Sequence, residues 1–248
     1  MSRTMRWSSS SATSSKRRAA RSRSGMAASI TGTCLTGILP PGDNHAMTRK
    51  EKLAALLDQV RACQKCLEAG YWIAPGAVVR GAHSAKVMTI GQAPGPTEAV
   101  TKRPFNAGSG KRLFEWLGEA GFDEDSFRAM QYMTSVTKCY PGKGKGGHGD
   151  RVPTKEEQAL CRSWLEEEID LVNPRLIIPI GKLAIGLFFE AAQTLETIIG
   201  KRYERDGRAI IPLPHPSGAS TWHQKPANRA LVTKAIRLIA KQREALGL

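Results

Sequence analysis

Four cysteines and two glycine- and proline-rich turns hold the residues of this chain that could do chemistry. Cys63 and Cys66 form a C-x2-C pair, and Cys139 and Cys161 follow singly. Thiolates so arranged can ligate tetrahedral zinc or an iron–sulfur cluster, and spacing alone leaves both open. C-x2-C also serves as a redox dithiol, but here the pair closes a helical pattern instead of opening a helix after a strand. Unliganded buried thiols are the plain alternative. Cys34 stands upstream and reads as an ordinary free thiol.

The first turn, Gly91-Gln92-Ala93-Pro94-Gly95, follows the apolar run Lys86 to Ile90. The second, His215-Pro216-Ser217-Gly218, follows Ala209 to Leu213. Glycine and proline directly after a buried strand make a sharp turn whose backbone can approach a ligand closely. Glu98 and Phe105 come soon after the first turn and His215 lies in the second, so the two read as walls of one pocket. Each side chain has a plainer use: surface histidine, core phenylalanine, helix-terminal glutamate. Gly108-Ser109-Gly110-Lys111 suggests a phosphate loop, but it lacks both the hydroxyl residue after the lysine and the earlier glycine. Nucleotide hydrolysis and a nucleotide cofactor are therefore excluded.

The elements that must position these residues alternate between strand and helix. Buried strands are expected at Lys86 to Ile90, Tyr132 to Thr137, Leu176 to Ile180 and Arg208 to Leu213. Helical spacing covers Arg49 to Arg61, Gly110 to Glu119, Leu183 to Phe189 and Ala227 to Arg243. Thr154 with Glu157 forms a capping box that opens a further helix through Leu171. This alternation predicts an α/β fold, three layers α/β/α around a central, mostly parallel four-stranded sheet. In such sheets ligands bind at the carboxyl ends of the strands, where both turns sit.

The chain has 248 residues and a formal net charge of +15, which favours a polyanionic partner. Residues 1–46 hold seven Lys or Arg against one acid, Asp43, and are rich in serine. This segment is expected to be a disordered basic tail, with Met47 as an alternative start. Residues 47–248 form the single expected domain. No apolar run is long enough to span a bilayer and no secretory h-region is evident, so a cytoplasmic, reducing setting is expected.

The ordered set is C-x2-C, then G-Q-A-P-G-x-x-E followed by P-F, a strand ending in Lys-Cys, another Cys, and H-P-S. It resembles the uracil-DNA glycosylase superfamily, closest to the family 4 bacterial and archaeal enzymes with a [4Fe–4S] cluster. The resemblance spans nearly all of residues 47–248. It implies a DNA-repair hydrolase of base excision that removes uracil, or a related deaminated base, flipped out of DNA as a monomer. By position it implies cluster ligands Cys63, Cys66, Cys139 and Cys161. His215 would donate to the uracil O2, and Gly91, Gln92 and Ala93 would contact the base edge. Phe105 would stack on the ring, Glu98 would orient or activate the water, and Ser217 would reach the DNA phosphates. Lys102, Arg103, Lys111, Lys138 and Lys143 are candidates to track the DNA backbone.

Two positions depart from the best-known patterns. Ala93 stands where another family of the superfamily has a water-activating aspartate, a loss family 4 shares. Ser135 stands where family 4 usually has an asparagine that reads the base edge. A hydroxyl is shorter than a carboxamide and rotates to suit other bases, which opens two alternatives. One is a non-catalytic protein that binds DNA damage; the other is a glycosylase for another base such as hypoxanthine.

Overall fold

The computed structural model describes residues 47–147, 149–218 and 220–248. The basic stretch 1–46, with its expected disorder and Cys34, lies outside the described residues. The first helix, α1 (Arg49–Ala62), starts at Thr48, whose side chain and Glu51 form a reciprocal capping box. It buries Leu53, Leu56, Leu57 and Val60 on one face and ends at Cys63. The short α2 (Lys65–Glu68) carries Cys66.

The sheet begins with β1 (Arg80–Gly81) and β2 (Val87–Gly91), and every residue of β2 is buried. Three helices follow: α3 (Pro96–Thr101), α4 (Gly108–Glu119) and α5 (Glu124–Met130). Then come β3 (Tyr132–Ser135), α6 (Lys155–Val172) and β4 (Leu176–Pro179). Short helices α7 (Gly181–Ile185) and α8 (Leu195–Ile198) precede β5 (Tyr203–Arg205) and β6 (Arg208–Ile210). The closing helix is α9 (Pro226–Ala245).

The strands form one six-stranded sheet in the order β1-β3-β2-β4-β6-β5. Its four inner strands are the expected ones and pair in parallel, with Gly91 opposite Ser135 and Ile90 opposite Pro179. The two edge strands add to the expected count, and both pair antiparallel. The β5–β6 edge is a hairpin over Asp206-Gly207, both at positive φ (50° and 71°), the conformation a tight two-residue turn requires. β2, β3 and β4 are buried on both faces, as covered parallel strands must be. α1 packs on α6, while α4 packs on α9 and α5. Fully buried aliphatics such as Val87, Ile90, Leu176 and Ile178 each contribute roughly 1.5–3 kcal/mol.

Candidate active site

All four inner strands end on the same edge, and the chemistry-bearing residues collect there. The ladder continues past the strands: the Val136 and Thr137 amides donate to the carbonyls of Gly91 (2.9 Å) and Gln92 (3.2 Å). Gly181 N–H likewise donates to the Leu213 carbonyl at 2.9 Å, which registers the His215 turn against the end of β4. Gly91 therefore ends β2 between the ends of β3 and β4, about 4.8 Å from each neighbouring strand.

Phe105 lies over Gly91. A Cβ on Gly91 would sit 3.0 Å from the Phe105 Cζ, so a larger residue there would displace the ring. Phe105 has φ 50°, a left-handed conformation costing a bulky residue about 1–3 kcal/mol, and it persists because its neighbours over-determine it. Arg128 from α5 donates to the carbonyls of Pro104 (2.7 Å) and Phe105 (2.8 Å). Glu98 accepts from the amides of Asn106 (2.9 Å) and Ala107 (3.0 Å) through Oε1, and from Gly95 (3.2 Å) through Oε2. Any side chain at Gly110 would collide with the Phe105 carbonyl. Phe105 is half-buried, with its carbonyl side gripped by protein.

His215 is held in one protonation state. The Ser217 amide, which can only donate, bonds to Nδ1 at 3.2 Å, and the Ser217 hydroxyl lies 2.9 Å from the same atom. Nδ1 is therefore an acceptor and the proton of the neutral ring sits on Nε2. Burial, and then the nearby His223, push the His215 pKa below the ordinary 6.5. Gly181, at φ 81°, backs the ring: a Cβ there would lie 3.1 Å from the His215 Cδ2. Ser217, which the resemblance directs to DNA phosphates, also orients this imidazole through its amide and hydroxyl.

Ser135 ends β3 beside Gly91, buried, and its hydroxyl donates to the Thr137 carbonyl at 2.7 Å. With its proton spent, Oγ presents only lone pairs. Glu98 is buried with both oxygens engaged by backbone N–H groups, an arrangement that fixes the turn. A second carboxylate, carried by the loop between β3 and α6, reaches the first turn. Asp150 Oδ1 accepts from Tyr140 Oη (3.2 Å) and Lys143 Nζ (3.3 Å). Its Oδ2 would lie 3.3 Å from a Cβ on Gly95, so it faces the first turn, and among the described residues nothing donates to it. Tyr140 paired with Asp150 was the missed signal; it depends on a bridge between Lys143 and Asp150 that no local pattern announces.

The four cysteines line one cavity with Val60, Ile73, Leu160 and Trp164. Cys63 and Cys66 reach it from the end of α1 and from α2. Cys139 follows β3, and Cys161 comes from α6. All four are free thiols. Burial and the neighbouring Cys161 push Cys66 up to about 11, and burial with the other three cysteines pushes Cys139 up to about 12. The Lys138 amide donates to the Cys161 sulfur at 3.3 Å. Among the described residues no group of three or more His, Cys, Asp or Glu side chains is placed to hold a single metal ion.

One expectation for the DNA-facing cations is corrected. Lys138 is fully buried; its ammonium donates to Glu168 (2.9 Å), Thr134 Oγ1 (2.7 Å) and the Ser135 carbonyl (2.8 Å). It cannot track phosphates, because Glu168 already neutralises it inside the protein. Lys102 and Lys111 are exposed, while Lys143 is paired with Asp150.

A sequence model of the uracil DNA glycosylase superfamily matches residues 78–240. The chain is 30% identical over 173 residues to a type-4 uracil-DNA glycosylase of Thermotoga maritima, covering 68% of this chain and 84% of that protein. It is 28% identical over 179 residues to a type-4 uracil-DNA glycosylase of Archaeoglobus fulgidus, covering 67% and 82%. Similarity extends to a type-5 uracil-DNA glycosylase of Pyrobaculum aerophilum, 30% identical over 147 residues and covering 55% and 62%.

Proposed function

Because the chain belongs to the uracil-DNA glycosylase superfamily, we propose that it hydrolyses the N-glycosidic bond of uracil extruded from DNA, leaving an abasic site. In this reaction the C1′–N1 bond breaks and its electron pair leaves with the base. The sugar gains positive charge, and a water oxygen then bonds to C1′. A donor placed where the anion develops contributes most to such catalysis.

The observation that carries the proposal is the fixed tautomer of His215. Its Nδ1 is tied to Ser217, so Nε2–H is free to donate to the uracil O2 as negative charge accumulates. A neutral donor suits this role, since an imidazolium would lose its proton to the leaving base. Phe105 stacks on the ring above Gly91, and Asp150 Oδ2 takes the proton of the attacking water. For Glu98 the geometry supports a positioning role, since its oxygens already hold three backbone amides. Alanine at His215 should lower the excision rate about 10²–10³-fold and leave DNA binding near wild type. Undiminished excision would refute the role.

Ser135 supports a second reading of the base. Deamination turns a ring nitrogen from acceptor into donor, at N3 of uracil and at N1 of hypoxanthine. The acceptor-only Oγ of Ser135 fits either N–H, and it rejects neither base. Hypoxanthine is therefore a second substrate to assay beside uracil.

Cys63, Cys66, Cys139 and Cys161 would hold a [4Fe–4S] cluster. The donor set is all thiol and lines one cavity. Cys66 and Cys139 are half-buried, their pKa values are raised, and a strong positive centre would draw off their protons. The cluster's contribution is structural, since base removal moves no electron. The chain's own part is to bring α1, α2, the segment after β3 and α6 together behind Ser135. Reduced thiols of this kind fit a cytoplasmic setting.

A further inference from the structure

We infer that Arg128 is a positioning residue for base excision: it holds the backbone of Phe105 in the left-handed conformation from which the ring stacks on the extruded base. The inference rests on the reading of Phe105 as the stacking residue. In extended backbone, successive carbonyls point to opposite sides of the chain. The carbonyls of Pro104 and Phe105 instead converge on one guanidinium, Nη1 at 2.7 Å and Nη2 at 2.8 Å. They do so where the chain folds back at Phe105, whose φ is 50°.

The guanidinium is itself locked. Its Nε donates to Glu124 at 2.8 Å, one turn earlier on α5, and its Cζ lies 4.1 Å from the centre of the Phe114 ring. Its planar fork supplies two parallel donors at a fixed spacing, which a lysine cannot reproduce. Glu98 anchors the following amides, so Arg128 and Glu98 clamp the turn from both sides. Arg128 is buried and reaches the turn through its carbonyls, so it acts through Phe105 and does not contact the base.

Wild type, Arg128→Lys, Phe105→Ala and the double variant form a cycle, read as kcat and KM on an oligonucleotide with one uracil and paired with crystal structures of wild type and Arg128→Lys. Arg128→Lys should lower kcat about 10- to 100-fold with KM little changed, the loss expected when a reacting group is misplaced by about 1 Å. Added to Phe105→Ala, it should cost less than about twofold, because its effect passes through that ring. In the crystals Phe105 should leave the left-handed region. An equal loss in both backgrounds, or an unchanged turn in Arg128→Lys, would overturn the inference. If wild type releases no base at all, the functional reading fails, and the conformation of Phe105 in the crystals still decides the role of Arg128. Should Arg128→Lys not fold, Arg128→Gln, able to reach one carbonyl, takes its place in the same cycle.

Discussion

Replacing Ser135 by asparagine should raise uracil excision. Ser135 lies at the end of β3 opposite Gly91, and its only proton goes to the Thr137 carbonyl at 2.7 Å. The wild-type site therefore offers the base edge an acceptor and no donor from this position. A carboxamide would offer both, to the uracil N3–H and O4, and would reach further from the strand. A paired amide-to-base contact discriminates by about 1–3 kcal/mol, which corresponds to a gain of about 5- to 150-fold in kcat/KM. The substitution also deletes the bond to Thr137, a net loss of about 0.5–1.5 kcal/mol of stability. For a domain of this size that lowers Tm by about 1–6 °C. Activity and stability should thus move in opposite directions. The assay is single-turnover release of uracil from single- and double-stranded oligonucleotides, read by alkaline cleavage at the abasic site. A folded Ser135→Asn protein with unchanged or lower uracil activity would show that another residue reads the base.

The acid limb of kcat/KM should lie below pH 6.5, because burial and His223 hold His215 neutral past its ordinary titration; a limb at or above 6.5 contradicts the neutral donor. For the same reason acid below that pH should favour unfolding, since the unfolded histidine takes up a proton that the folded one resists. Gly181→Ala should cost about 1–2 kcal/mol for the left-handed backbone and push the His215 ring aside. Its melting curve and kcat should both fall, and an unaffected kcat would detach Gly181 from the site. Protein purified without air should be brown with about four iron atoms per chain, and Cys139→Ala should lose both colour and iron. Stoichiometric zinc in a colourless wild type would refute the cluster.

Much of the scaffold was legible because its signals are local. The four inner strands are apolar runs ended by glycine or proline, and Thr154 with Glu157 announces α6 through a reciprocal hydrogen bond within one turn. The Asp206-Gly207 hairpin carried an equally local signal, but short, half-exposed flanks disguised β5. The short helix α5 is likewise capped by Asp123, whose side chain accepts from the Ser126 amide at 2.9 Å. Arg128 and Asp150 had no comparable local signature. Arg128 is defined by carbonyls more than twenty residues earlier in the chain. Asp150 is placed by a β-bridge to Lys143, which leaves it facing the distant Gly95. Lys138 misled for the same reason: a lysine reads as solvent-facing until its buried partner Glu168, two turns beyond Cys161 on the same face of α6, is placed against it.

The most direct test of the account is whether the wild-type protein frees the base. Incubated with a DNA strand carrying one uracil, it should release free uracil detectable by mass spectrometry and leave an alkali-labile abasic site at that position. The same strand with cytosine in place of uracil should stay intact, because cytosine N3 is an acceptor that meets only lone pairs on Ser135 Oγ. Tight binding to the uracil strand with no released base and no abasic site would contradict the account and leave a non-catalytic DNA-binding protein.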